Sequence, residues 1–326
     1  MAEPGLLGEF LTRVARVGRG RGPARDPLEL CSELLGDKGE VSGLVAALDI
    51  LEGIEALDRE GFLRFCQGLA AWFGVDKVAV EAAIATYHKT GEARVLHEAA
   101  DPRSQELIRR INRAPGTTAR LVALRARLID LTRTHPDLKG VDRDFLHLFS
   151  SWFNRGFLEL RHVDWSSPAS ELEKIISYEA VHEISGWDDL RQGVADPDRR
   201  LFAFFHPAMP GEPLIFVEVA LMAEIPGAIG DIIAVKRDPV DPEAAKVAVF
   251  YSILNCQKGL RGISFGNFLI KQVVSELQRE LPGLSTFVTL SPVPGLRRWA
   301  DAKGIEAPGI AGLENAWGSW PITSMI

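Results

Sequence analysis

The sequence predicts a helical bundle over residues 1–153 followed by an α+β domain over residues 154–326. Three observations carry that expectation. Apolar residues recur three and four apart in successive stretches of the first half, the period of amphipathic helices. Strand-like runs are almost confined to the second half. The second half also contains a strand, a glycine-rich loop, a helix and another strand in series, the order of a parallel β-α-β unit.

In the first half, EVSGLVAALDILEGIEAL from Glu40, REGFLRFCQGLAAWFG from Arg59, DKVAVEAAIATYHK from Asp76 and TTARLVALRARLIDLTRTH from Thr117 each carry the helical period. Breakers separate them at Gly74, Asp101-Pro102, Ala114-Pro115-Gly116 and His135-Pro136. Such short connections favour antiparallel neighbours in a bundle. His88, His97, His135 and His147 fall in or beside these helices and read as packed or solvated residues. Trp72 and Trp152 read as core or interface residues.

In the second half, strands are expected at Leu158–Val163, Arg200–Pro207, Pro213–Leu221, Lys246–Leu254 and Ser285–Leu290. Ser166 or Ser167 before Pro168 signals a helix N-terminus. HPAMPGEP, His206 to Pro213, reads as a hairpin turn, and DPVDPE, Asp238 to Glu243, as a loop. A helix over Ser264–Glu280 separates the last two strands.

Composition limits the function classes. The chain has 326 residues, 46% apolar and 25% charged, enough for two domains with their own cores. A net charge of -7 argues against a general nucleic-acid binder. The three cysteines, Cys31, Cys66 and Cys256, form no CxxC pair and fit a reducing cytoplasm. The seven histidines are scattered without metal-ligand spacing, so no metal is expected. No apolar run is long enough for a membrane span. The N-terminal Arg13, Arg16, Arg19, Arg21 and Arg25 read as a solvated basic face, with Glu3 and Glu9 counting against a targeting peptide.

The chemistry is expected where the β-α-β unit leaves its strands. Parallel strands point their carboxyl ends the same way, and ligands collect at that edge. The stretch NCQKGLRGISFG leaves the first strand, and Ser291, in TLSPVPGL, leaves the second. Gly259, Gly262 and Gly266 precede a helix N-terminus, and Lys258 and Arg261 add positive charge. That combination suits phosphate, and it equally suits a flexible loop. It is neither a P-loop nor a dinucleotide fingerprint. Ser291 has the same two readings, a turn-forming serine or a site residue.

Several longer blocks settle the direction. HPAMPGEPLIFVEVAL, VFYSILNCQKGLRGISFGNFLIKQVVSELQRELP, FVTLSPVPGLRRW and the junction SSWFNRGFLELRHVDWSSPASELEKIISYEAVHEI together resemble the malonyl-CoA decarboxylase family, over roughly Asp137 to Trp299. The resemblance implies a helical N-terminal domain that contributes to homo-oligomerisation. It also implies a catalytic domain resembling the Gcn5-related acetyltransferase fold, with a CoA diphosphate cradle between a strand and a helix. The matching positions here are Gln257 through Gly262 and the helix N-terminus at Ser264 and Gly266. Ser252, Asn255 and Cys256 are expected to line the same pocket, with backbone amides near Asn255 and Cys256 facing the thioester oxygen. The family's catalytic serine corresponds to Ser291. The implied reaction turns malonyl-CoA into acetyl-CoA and CO2, in fatty-acid metabolism, with no cofactor because the thioester is the electron sink.

The family's general-acid histidine lies well beyond the SPxPG serine. No histidine follows His206 here, and His206 belongs to a different block, so the role is not carried over. The catalytic domain is accordingly expected to be incomplete at its C-terminus. Two alternatives keep the CoA cradle. One is an acyl-CoA-dependent N-acyltransferase with Glu218 as base. The other is a non-catalytic CoA-binding scaffold.

Overall fold

A computed structural model describes residues 25–36, 39–178, 186–233, 238–290 and 295–304. Helices fill the first half: α1 (Pro27–Leu35), α2 (Glu40–Glu55), α3 (Arg59–Trp72), α4 (Lys77–Thr90), α5 (Ala93–Ala100), α6 (Arg103–Ile111), α7 (Thr117–Thr132) and α8 (Lys139–Trp152). Three of these starts follow from side-chain capping by aspartate. Asp26 accepts from Leu28 N, with a proline in the first turn of α1. Asp58 accepts from Gly61 N at the start of α3. Asp76 accepts from Val78 N and Ala79 N at the start of α4. Each satisfies amides that have no partner within the helix.

The second half holds β1 (Glu159–Val163), α9 (Ala169–Tyr178), α10 (Trp187–Ala195), β2 (Arg199–Phe205), β3 (Ile215–Met222), α11 (Gly230–Ile233), β4 (Val247–Asn255), α12 (Gly266–Glu280), β5 (Thr286–Thr289) and α13 (Leu296–Lys303). The five strands form one sheet in the order β1-β2-β3-β4-β5. The sheet is mixed. Leu214 N donates to Phe204 O and Leu221 N to Asp198 O, which makes β2 and β3 antiparallel. Cys256 N donates to Leu214 O and Lys246 N to Met222 O, which does the same for β3 and β4. β4 then pairs with β5 in parallel, from Val247 with Thr286 to Phe250 with Thr289. The expected hairpin at His206 closes through a bridge between His206 and Met209. The two serines before Pro168 build the turn that precedes α9: Ser166 donates to the Asp164 carboxylate through amide and hydroxyl, and Ser167 Oγ accepts from Asp164 N.

Two compact units result, and neither is a single run of sequence. One gathers α1–α8 with Phe204–Leu214 and Asn255–Leu269. Its core is aromatic and aliphatic: Phe62, Phe145, Phe149, Phe153, Ile50 and Leu51 are fully buried. Phe149 meets Phe153 edge-on at 5.7 Å between ring centroids. Trp72, by contrast, is 59% exposed, so it is not a core residue.

The other unit gathers the described residues of Leu160–Ala203, of Ile215–Leu254 and from Ile270 to Gly304. On β3 and β4, Ala220, Val247, Val249 and Tyr251 pack with Ile232 of α11, and Val288 of β5 joins them. Residues two apart along β4 share a face, so Ala248, Phe250 and Ser252 lie on the opposite one. All three are buried as well. A strand buried on both sides explains the nearly continuous apolar run VAVFYSIL.

Candidate functional site

The loop after β4 is built from Asn255 to the start of α12, and it lies in the same compact unit as the helical bundle. Its entrance is tied to Pro213 and Leu214. Gln257 Nε2 donates to Pro213 O at 3.1 Å, and Cys256 N to Leu214 O at 2.9 Å. The Cys256 amide is therefore spent on the strand ladder. This corrects the expectation that it faces a thioester oxygen.

Lys258–Leu260 form one turn of 3₁₀ helix that packs on α7. The approach is very close. A Cβ on Gly259 would stand 1.9 Å from Val122 O and 2.7 Å from Val122 C, so only glycine fits. Lys258 Nζ reaches Asp130 Oδ1 on α7 at 2.5 Å, with both side chains about half exposed. Beneath them lies Arg125, whose side chain is 2% exposed. Its Nε donates to Asp142 Oδ1 at 2.9 Å. Its Nη1 donates to Gly259 O at 2.7 Å and Arg261 O at 2.9 Å. A buried guanidinium is tolerable only with such partners.

Leu260 to Ile263 then make a tight turn, closed by Ile263 N donating to Leu260 O at 3.1 Å. Arg261 has φ -55 and ψ 134, and Gly262 has φ 89. These are the angles of a type II turn, which asks for glycine at its third position. Gly262 is exposed, as are Arg261 and Ser264, and Gly266 opens α12. The first amides of that helix have no helical carbonyl to donate to. Exposed Arg261, the exposed glycine turn and the helix N-terminus thus stand within six residues of one another, Arg261 to Gly266.

The remaining candidates are more dispersed. Asn255 is exposed at the end of β4, while Ser252 is 2% exposed within it. Leu290 N donates to Phe250 O at 2.9 Å, so the chain leaves β5 at the level of β4 just before Ser252. Ser291 lies outside the described residues. Glu218 is buried on β3, with its Oε1 4.0 Å from where a Cβ on Gly193 of α10 would stand.

His206 is held at both ring nitrogens. Nε2 donates to Trp152 O at 3.1 Å, and Nδ1 accepts from Ala208 N at 3.1 Å. The ring lies 4.8 Å from that of Phe153. Burial holds its pKa below the ordinary value, partly offset by the Trp152 carbonyl and by Glu159. It is a neutral structural pin. Burial also pushes the thiols of Cys31 and Cys66 up to about 12, which removes them as nucleophiles. Among the described residues, no group of three or more His, Cys, Asp or Glu side chains is placed to hold a metal ion. No described helix is long and apolar enough to cross a membrane.

Arg125, Asp142 and Asp130 escaped the sequence reading. A signal for Arg125 was present, because it sits on the apolar stripe of α7, four residues after Leu121 and three before Leu128, both buried. A charge in that stripe calls for a buried partner. Nothing in the sequence points to Asp142 as that partner.

Fold and loop together define a class: an all-helical region joined to a mixed-sheet α+β region, with a glycine turn leading from a strand into a helix. Comparison with known proteins is specific within that class. Residues 73–153 match the malonyl-CoA decarboxylase N-terminal domain, and residues 156–314 the malonyl-CoA decarboxylase C-terminal domain. Among solved structures, malonyl-CoA decarboxylase from Rhodopseudomonas palustris is 50% identical with a TM-score of 0.81, covering 88% of this chain and 72% of that one. The Agrobacterium vitis enzyme is 49% identical with a TM-score of 0.82, covering 91% and 75%. Mitochondrial malonyl-CoA decarboxylase of Anser anser anser is 38% identical over 264 residues, 76% of this chain and 52% of the relative. The chain belongs to the malonyl-CoA decarboxylase family. It spans about half the length of the curated relatives it matches.

Proposed function

We propose that this chain carries the CoA-thioester site of a carboxy-lyase that converts malonyl-CoA to acetyl-CoA and CO2. Membership of the family motivates the reading, and the observation that carries it is the turn at Gly262. An exposed glycine with φ 89 follows Arg261 and leads to the N-terminus of α12, an arrangement suited to a diphosphate. In this reading Gln257, Lys258, Gly259, Arg261, Gly262, Ser264 and Gly266 belong to the diphosphate loop. Gly259 serves it indirectly, by letting the loop seat on α7. Lys258 is engaged with Asp130, so Arg261 is the stronger candidate for a charge offered to the ligand.

The chemistry is a carbon–carbon cleavage. The bond between the carboxylate carbon and the adjacent methylene breaks, and its electron pair delocalises into the thioester carbonyl as CO2 leaves. The methylene carbon then takes a proton. The thioester is the electron sink, so the reaction calls on no further cofactor. Donors aimed at the developing oxyanion lower the barrier, and a positioned acid completes the product. Ser291 is assigned to the departing carboxylate or to orienting that acid. Ser252 and Asn255 are assigned to the pocket, which the departure of β5 near Ser252 supports. His206 is not the acid, because both its nitrogens are engaged.

Three broader assignments accompany this reading. Residues 1–153 serve as the helical, oligomerising domain and 154–326 as the catalytic domain with an acetyltransferase-like fold. The end of α8 at Trp152 and the mixed sheet after it support that division. Exposed Trp72, Val75, Val78 and Ile84 on and beside α3 and α4 support self-association. Three free, buried cysteines suit a reducing cytoplasm.

The test is CO2 release from malonyl-CoA by the chain and by its Ser291→Ala variant. Turnover that falls at least about a hundredfold in the variant supports the assignment. Turnover unchanged by the substitution removes Ser291 from the site. Acyl transfer only when an amine is added replaces the decarboxylase reading with an N-acyltransferase.

A further inference from the structure

We propose that Arg125, a residue of the helical bundle, is a positioning residue for the diphosphate of the CoA substrate. Its guanidinium fixes the peptide between Arg261 and Gly262 so that the Gly262 amide faces away from α7 as an anion donor. The inference rests on the reading of this loop as the diphosphate site.

The argument starts from the turn. Type I and type II turns differ mainly by a flip of their central peptide, and glycine at the third position accepts either. The sequence around Gly262 therefore does not choose between them. Arg125 makes the choice. Its Nη1 donates to Arg261 O at 2.9 Å, which holds that carbonyl toward α7. In a planar trans peptide the carbonyl of one residue and the amide of the next point in opposite directions. The Gly262 N–H is thereby turned away from α7, on the exposed side of the loop.

The same Nη1 also holds Gly259 O at 2.7 Å, which anchors the turn of 3₁₀ helix before it. Nε is fixed by Asp142 Oδ1 on α8 at 2.9 Å, so the fork cannot swing. Only a planar guanidinium meets a carboxylate on one side and two carbonyls on the other. A lysine ammonium at this site carries the charge without the fork.

The experiment measures CoA and pantetheine binding by calorimetry on the full chain, for the parent, Arg125→Lys, Gly262→Ala and the double variant. Pantetheine lacks the diphosphate. Arg125→Lys is expected to weaken CoA about tenfold, the loss of one amide aimed at a charged oxygen, and to leave pantetheine unchanged. Gly262→Ala is expected to do the same, and the double variant to lose no more than Gly262→Ala alone, because both act through one peptide. Equal weakening of both ligands, or none, makes Arg125 purely structural and overturns the proposal. If Gly262→Ala weakens CoA and Arg125→Lys does not, the diphosphate reading stands and the proposal falls. A parent chain that binds CoA no better than pantetheine sinks the diphosphate reading itself. Should Arg125→Lys fail to fold, Asp142→Asn replaces it: loosening the fork is expected to reduce CoA affinity selectively, and a selective loss that is absent overturns the proposal.

Discussion

Arg125 and Arg199 are both arginines taken out of water, one in each compact unit, and both spend their donors on backbone carbonyls. Arg199 on β2 is 6% exposed, and its carboxylate partner Asp198 is 2% exposed. It donates to Ile232 O at 2.5 Å and to Asp198 O at 3.1 Å, while Asp198 Oδ2 accepts from Val240 N at 3.2 Å. The partners that hold it here are interior: Asp198 just before β2 and Ile232 of the short helix α11 are both buried. Arg125 holds the inner face of a loop whose outer face is exposed, and its partner Asp142 is 23% exposed. The same chemistry closes a core in one unit and presents a surface in the other. What distinguishes them is the far side of the peptide each arginine holds.

The sharpest way to break that contrast is to delete the interior pair. Arg199→Met takes away the guanidinium that stands 3.3 Å from the buried Asp198 carboxylate, and breaking a buried pair from one side is costly. The expected loss is about 4 kcal/mol in urea unfolding. The ratio of CoA to pantetheine affinity in the remaining folded protein is expected to hold. A changed ratio would mean that Arg199 also shapes the ligand site, and the two arginines would no longer differ in kind.

The two glycines of the loop sharpen the comparison at a smaller scale. Gly259 faces α7, where an added methyl would meet Val122 O at 1.9 Å. Gly262 meets only the tip of Leu146, at 3.4 Å, but has φ 89. Gly259→Ala must push the loop off α7 and is expected to cost about 3 kcal/mol. Gly262→Ala carries only backbone strain, about 1 kcal/mol. The reverse order in thermal unfolding would show that the loop is not seated on α7 as its contacts require.

Much of this was legible in the sequence, but not its most consequential contact. The helical period of TTARLVALRARLIDLTRTH yielded α7, and the nearly continuous apolar run VAVFYSIL yielded β4. Both signals are local. Glycine, basic residues and a following helix marked the loop for the same reason. The cause of Gly259 was hidden because its neighbour Val122 is remote in the chain, as is Arg125, 134 residues away. Sequence reasoning assigned Gly259 and Gly262 one shared purpose, the approach of a phosphate. In the fold one makes room for a helix and the other permits a turn. The cysteine amide failed likewise: NCQ reads as a loop opening, whereas Cys256 N still belongs to the sheet ladder.

The smallest expected effect concerns a buried cation that is absent. Arg125 and Arg199 keep their charge in the interior, whereas His206 meets burial by staying neutral. Its Nε2–H donates to Trp152 O and its bare Nδ1 accepts from Ala208 N, so a proton added at Nδ1 would break the second bond. Burial lowers its pKa from 6.5. His162 is lowered too, first by burial and then by Arg200. The unfolded chain therefore binds more protons than the folded one below pH 6.5. Stability is full above that value and is lost as the pH falls through it toward the lower folded values. His206→Gln keeps an amide donor in reach of Trp152 O and does not titrate. Its melting temperature is expected to fall less steeply than the parent's between pH 7 and pH 5. A parallel fall would mean that His206 takes up its proton equally in both states across that range, or that another group carries the acid sensitivity. His162→Gln then separates the two, because its contribution has the same sign and lies in the sheet unit rather than beside the helical bundle.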